Sequence, residues 1–126
     1  MTRLRIDHVV IAVSDFERSN AWYRDVLGAE IEQRDAEFAS YRFGDWMLNV
    51  HAASYGGLNA AKPVEPGNSD LCFVWDGPLE DAIAHLEGHG VEIVAGPVEQ
   101  DFARGPARSV YVRDPDGSLL EFVSYE

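Results

Sequence analysis

Residues 6–28 read IDHVVIAVSDFERSNAWYRDVLG, and the order of patterns within this stretch decides the fold. Ile6 to Val13 is an almost unbroken apolar, β-branched run interrupted by Asp7 and His8, which predicts a strand covered on both faces. Ser14-Asp15-Phe16-Glu17 then has the form of a capping box, with the Ser14 side chain accepting from the backbone near Glu17 and Glu17 reaching back. Phe16, Tyr23, Val26 and Leu27 recur at helical spacing, Arg24 stands near the end, and Gly28 suits the left-handed residue that stops a helix. The helix therefore spans roughly residues 15 to 27.

Working outward, three strand-like segments follow near Ala29–Arg34, Glu37–Phe43 and Trp46–Ala52, the last two separated by the tight-turn signal Gly44-Asp45. Residues 54–68 are rich in Gly, Pro, Ala and Asn without an apolar period, and read as a connecting loop. The first order then returns: a strand at Leu71–Trp75, a helix from about Leu79 to Glu87, and strands near Val91–Val98, Ser109–Arg113 and Leu119–Ser124. Pro78 stands at the first turn of that second helix, and Gly88-His89-Gly90 stops it. Asp114-Pro115-Asp116-Gly117 is a strong turn signal. The reading is an α+β protein of two βαβββ modules, about 4–53 and 69–125, joined by loop 54–68 within one domain spanning 1–126.

Composition sets the outer limits. The 126 residues are 46% hydrophobic and 25% charged, as in ordinary globular domains. Ten basic against 22 acidic side chains leave a formal charge of −12, which repels phosphate backbones and anionic lipid surfaces. Nucleic acid and membrane partners are disfavoured. Cys72, the sole cysteine, cannot form an intrachain disulfide and fits a reducing compartment. Met1-Thr2-Arg3-Leu4-Arg5 runs straight into the first strand without a signal-peptide core, so the expected location is cytoplasmic.

Several polar residues interrupt apolar patterns. His8 shares a face with Ile6, Val10 and Ala12, and reads either as a hydrogen-bonded core histidine or as a metal ligand. Glu121 lies between Leu120 and Phe122, and a carboxylate there is exposed, paired or bound to a cation. Asp70 precedes Asp76 by the same six positions that separate His8 from Ser14. His51 lies near the end of the fourth strand and shares a face with Asn49. Ser109 and Tyr111 alternate together on the strand before the Asp114 turn. Arg104 and Arg108 flank Gly105-Pro106, where a cation could anchor an anionic substrate. His85 and His89, in and after the second helix, read as structural.

Four strings carry a family resemblance: Ile6-Asp7-His8-Val9, Trp22 to Gly28, Tyr111 to Gly117, and Leu119-Leu120-Glu121. In this order they resemble the vicinal oxygen chelate superfamily of glyoxalases, bleomycin-resistance proteins and extradiol dioxygenases. Leu48-Asn49-Val50-His51 and Gly67 to Phe73 resemble a branch of short glyoxalase-domain proteins. The resemblance implies that the two modules form a pair of half-open mixed sheets, and that a divalent metal is held by His8, His51, Asp70 and Glu121. Asp70 departs from the histidine found there in many relatives, and the family's fourth position falls closer to Asn49 than to His51, although imidazole is the better donor. Zn²⁺, Ni²⁺, Mn²⁺, Co²⁺ and Fe²⁺ all suit such a set. The implied activity is that of a lyase or isomerase acting on a small oxygenated substrate, with Glu121 as base and Ser109, Tyr111 and Arg108 as substrate contacts. The alternatives are an extradiol-type dioxygenase, for which His51 or Tyr111 would supply the catalytic side chain, and a metal-free drug-binding protein of the bleomycin-resistance kind. A homodimer is expected, because half-open sheets leave edges that a second copy can cover.

Overall fold

The computed structural model describes residues 2–102 and 104–126. The chain divides into two compact units, the first running to Ser69 and the second from Asp70 to Glu126. Each contains a four-stranded mixed sheet and one helix, so the doubled βαβββ order is realised.

In the first unit, β1 (His8–Val13), α1 (Phe16–Leu27), β2 (Glu30–Gln33), β3 (Phe38–Phe43) and β4 (Trp46–Ala52) build a sheet of order β1-β4-β3-β2. β1 runs parallel to β4, and the other neighbours are antiparallel. Ile11, Val13, Ala39, Tyr41, Leu48 and Val50 fall on one face by the period of two, and all are buried. That face meets α1, whose Tyr23 ring lies 4.9 Å from that of Tyr41. The Tyr41 hydroxyl donates to Asn20 Oδ1 on the same helix. Gly28 closes α1 with φ 74°, a backbone state that glycine adopts at little cost.

Two local expectations shift. The N-cap of α1 is Asp15, not Ser14, and its carboxylate accepts from Arg18 N at 3.3 Å. A carboxylate at this place also complements the helix dipole. Asp15→Ala is expected to cost about 0.5–2 kcal/mol, readable as a lower urea midpoint with an unchanged slope. β1 is also not covered along its whole length. It is an edge strand whose first half is exposed, with Val9 41% accessible.

In the second unit, β5 (Asp70–Val74), α2 (Leu79–Gly88), β6 (Ala95–Phe102), β7 (Gly105–Arg113) and β8 (Leu119–Ser124) repeat the arrangement in the order β5-β8-β7-β6. Val110, Val112, Leu120 and Phe122 form the buried face, and α2 packs on β8 and β7. The turn between β7 and β8 is held by Asp114, whose Oδ1 accepts from Asp116 N at 2.9 Å and Ser118 N at 3.0 Å. The β6–β7 hairpin is longer than its apolar residues announce. Glu99, Gln100 and Asp101, which lie beyond the expected strand end at Val98, pair with Arg108, Ala107 and Pro106. β6 is an edge strand exposed on both faces over most of its length, so ladder hydrogen bonds form without apolar alternation. Among the described residues no helix is long and apolar enough to cross a membrane.

Candidate functional site

Each sheet has one face turned to its helix and one turned away, and alternation assigns the polar residues singled out above to these faces. In the first unit His8, Val10 and Ala12 of β1 share the face away from α1 with Met47, Asn49 and His51 of β4. In the second unit Asp70 and Cys72 of β5, Glu121 of β8, and Ser109 and Tyr111 of β7 share the face away from α2. The two registers correspond. His8 opens β1 opposite Met47 and Asp70 opens β5 opposite Leu119, so the place that Glu121 holds in the second unit is held by Asn49 in the first.

The same register separates His51 from His8. His51 pairs with Ala12, four residues beyond His8, which places their backbones about 13 Å apart along the strands. Donors to one ion lie within about 4.5 Å of each other, and in this register Asn49, paired with Val10, stands nearer His8 than His51 does. The His51 ring stacks on Tyr55 at 3.7 Å between centroids and lies 5.7 Å from Phe38. Burial pushes the imidazole below its usual range, which keeps it neutral at pH 7.

His8 is not a core histidine. Its side chain is 38% exposed, and Nδ1 lies 2.9 Å from Asp7 Oδ2. If Nδ1 carries the proton shared with that carboxylate, Nε2 is left with its lone pair, the arrangement of an oriented metal-ligating imidazole.

In the second unit Cys72 stands directly beside Glu121 in the ladder, with Asp70 one step away on the same face. Burial first, and then the Glu121 and Asp70 carboxylates, push the Cys72 thiol up to about 11. Tyr111 neighbours Glu121 on the other side, and its hydroxyl accepts from Gln100 Nε2 at 3.3 Å, leaving its own proton free for another acceptor. Among the described residues, the buried side-chain polar atoms without a hydrogen-bond partner are Ser19 Oγ, His51 Nδ1, Ser109 Oγ and Glu121 Oε2. All but Ser19 lie on the faces turned away from the helices. Buried polar atoms are ordinarily satisfied, and an orphaned carboxylate oxygen is the most costly of these.

Arg108 falls outside this group. One residue from Ser109, it points to the opposite face and grips Glu80 of α2 through two bonds of 2.7 and 3.0 Å. Arg104 is exposed in the β6–β7 turn. The Arg108 guanidinium holds the Glu80 carboxyl down at about 2, against 4.5 ordinarily. A depressed carboxylate stabilises the fold above its unfolded value and loses that effect as pH falls through its folded value. Glu80→Gln is thus expected to flatten the acid dependence of stability between pH 4.5 and about 2, by a small amount that salt screens, since both side chains meet solvent.

Whether these residues suit a divalent ion is answered by their chemistry. In the second unit Glu121 Oε2 is a buried carboxylate oxygen without a hydrogen-bond partner and Asp70 offers a carboxylate on the same face; in the first unit, taken by itself, His8 offers an imidazole nitrogen. Oxygen and nitrogen donors of this kind fit a mid-row cation. Among the described residues no three His, Cys, Asp or Glu side chains are already gathered into one group.

The sequence profile of the glyoxalase/bleomycin resistance protein/dioxygenase superfamily matches residues 5–122. Virulence protein STM3117 of Salmonella typhimurium is 36% identical over 121 residues, covering 96% of this chain and 84% of that protein. Its crystal structure aligns with a TM-score of 0.89 over 100% of both chains. Glyoxalase domain-containing protein RDO1 of Mycosarcoma maydis is 37% identical over 121 residues, 96% of this chain and 68% of its own length. Lactoylglutathione lyase from Agrobacterium tumefaciens shares the fold, with a TM-score of 0.73 at 21% identity over 96% of this chain and 93% of that one.

Proposed function

Since the chain belongs to the glyoxalase/bleomycin resistance protein/dioxygenase superfamily, we propose that it is a divalent-metal-dependent enzyme of the lyase or isomerase type, acting on a small molecule with neighbouring oxygen atoms. His8, Asp70 and Glu121 are the proposed metal ligands. His51, four register positions from His8, leaves the ligand set. The observation that carries the reading is the buried, partnerless Glu121 Oε2 in the midst of Asp70, Ser109 and Tyr111. A carboxylate is kept in such a place when something else completes it.

A bound divalent ion would supply Lewis acidity, stabilising negative charge on the substrate oxygens. The chain's own residues do the rest. Tyr111, whose oxygen already accepts from Gln100, donates its proton to a substrate oxygen, and Ser109 Oγ, buried without a partner, makes the second polar contact. Glu121 would act as the base toward a proton on the carbon beside the substrate's neighbouring oxygens. Arg108 contributes to the packing of α2 and not to substrate binding.

Anaerobic purification, gel filtration without free metal, and elemental analysis test the reading. Wild type and His51→Ala are expected to retain close to one tightly held divalent ion per chain, and His8→Ala to lose it. Metal-free wild type would favour a sequestering protein. Loss of metal on replacing His51 instead of His8 would overturn the ligand assignment.

A further inference from the structure

We propose that His85 and His89 form a surface site for a borderline transition cation such as Ni²⁺, Cu²⁺ or Zn²⁺, independent of the reading above. His85 lies in the last turn of α2 and His89 is the residue that caps it. The spacing of four residues stacks their side chains on one stripe of the helix. The helical register holds through the cap, where His89 N donates to His85 O at 3.2 Å.

Two features go beyond spacing. The ring centres are 4.6 Å apart, with 50° between the planes. Two imidazoles that each give one nitrogen to a common ion at about 2.0–2.1 Å, at an angle of roughly 90–110°, hold their centres about 4.5–5.3 Å apart. The observed pair is thus already at chelating distance. In addition, His89 Nδ1 lies 2.9 Å from the carbonyl oxygen of His85. A carbonyl only accepts, so Nδ1 is the nitrogen that carries a proton and Nε2 is the one left to ligate a cation. This is the orientation that metal-ligating histidines owe to a carbonyl partner on their other nitrogen.

The Trp75 ring, 5.5 Å from His85, flanks that imidazole and places a fluorophore beside the site. Among the described residues no third His, Cys, Asp or Glu side chain completes a group, so water fills the remaining positions. Two nitrogen donors select mid-row transition cations over Mg²⁺ and Ca²⁺, which require oxygen ligands. The net charge of −12 draws cations toward the surface.

Untagged Glu121→Ala protein, freed of metal by chelation and dialysed against micromolar Ni²⁺, isolates this site from the proposed catalytic one. It is expected to take up one Ni²⁺ per chain, to melt at a higher temperature when Ni²⁺ is present, and to show quenched tryptophan emission that Trp75→Phe removes. Adding His89→Ala, a change at an exposed position, is expected to abolish uptake, shift and quenching, while Mg²⁺ produces none of them. As a safeguard against misfolding of the Glu121 variant, His89→Ala in the otherwise unaltered protein is expected to bind one Ni²⁺ fewer than wild type. Ni²⁺ uptake that His89→Ala leaves unchanged, or no uptake in folded Glu121→Ala protein, would overturn the proposal.

Discussion

Glu121→Ala is expected to strip the protein of its tightly held divalent ion and to bring metal-dependent turnover to background, while the domain stays folded. The loss follows from its proposed double duty as metal ligand and as base. Survival of the fold follows from its position. Its Oε2 has no hydrogen-bond partner and the Cys72 thiol that bonds the carboxylate is a weak donor, so truncation strands little and removes a charge that costs free energy when uncompensated. A change of no more than about 1 kcal/mol is expected, and its sign can favour the variant in the absence of metal. Glu121→Gln separates the two duties. It keeps the shape of the side chain, removes the charge and the base, and is expected to lose turnover even where metal is added in excess.

One residue earlier the expectation reverses. Leu120 is fully buried on the face that packs against α2, and Leu120→Ala removes apolar contacts and leaves a cavity. The cost should be about 2–5 kcal/mol, a large share of the total for a domain of this size. Denaturant titration would show a much lower midpoint, and folded protein that remains should keep its metal. The pair Leu120 and Glu121 thus tests the assignment of faces on β8: one residue serves stability, its neighbour chemistry. Similar stability losses at both positions would mean that the alternation has been assigned to the wrong faces.

That assignment was legible in the sequence where burial imposes a period. The helices, β3, β4 and β8 follow from apolar residues that must face a core, and the position of Glu121 among Leu119, Leu120 and Phe122 already set its face. Legibility failed where solvent relaxes the pattern. Residues 99–101 form part of edge strand β6 by backbone pairing alone, and nothing in Glu-Gln-Asp announces it. His8 read as a residue inside an apolar strand, but β1 is an edge strand with an exposed first half, so the histidine needs no core partner and takes Asp7. Arg108 and Ser109 were read together as substrate contacts, although adjacent strand residues face opposite ways. The alternation already present in Ser109, Tyr111 and Arg113 was the signal that would have separated Arg108. The choice between Asn49 and His51 needed the strand register, since both stand on one face and only the pairing of β1 with β4 shows which is nearer His8. The ring geometry of His85 and His89 likewise lay beyond the sequence. Spacing of four in a helix is common, whereas a 4.6 Å ring separation and an Nδ1 bound to a carbonyl are facts of conformation.

The chelate assignment is tested most directly by diffraction from metal-loaded crystals at two wavelengths flanking the absorption edge of the added ion, which locates that element by its anomalous signal. The account predicts one strong peak within about 2.0–2.3 Å of a His8 nitrogen and of Asp70 and Glu121 oxygens, with His51 still stacked on Tyr55. A peak bonded to His51 in place of His8, or no peak near Glu121 in crystals that contain the ion elsewhere, would contradict it.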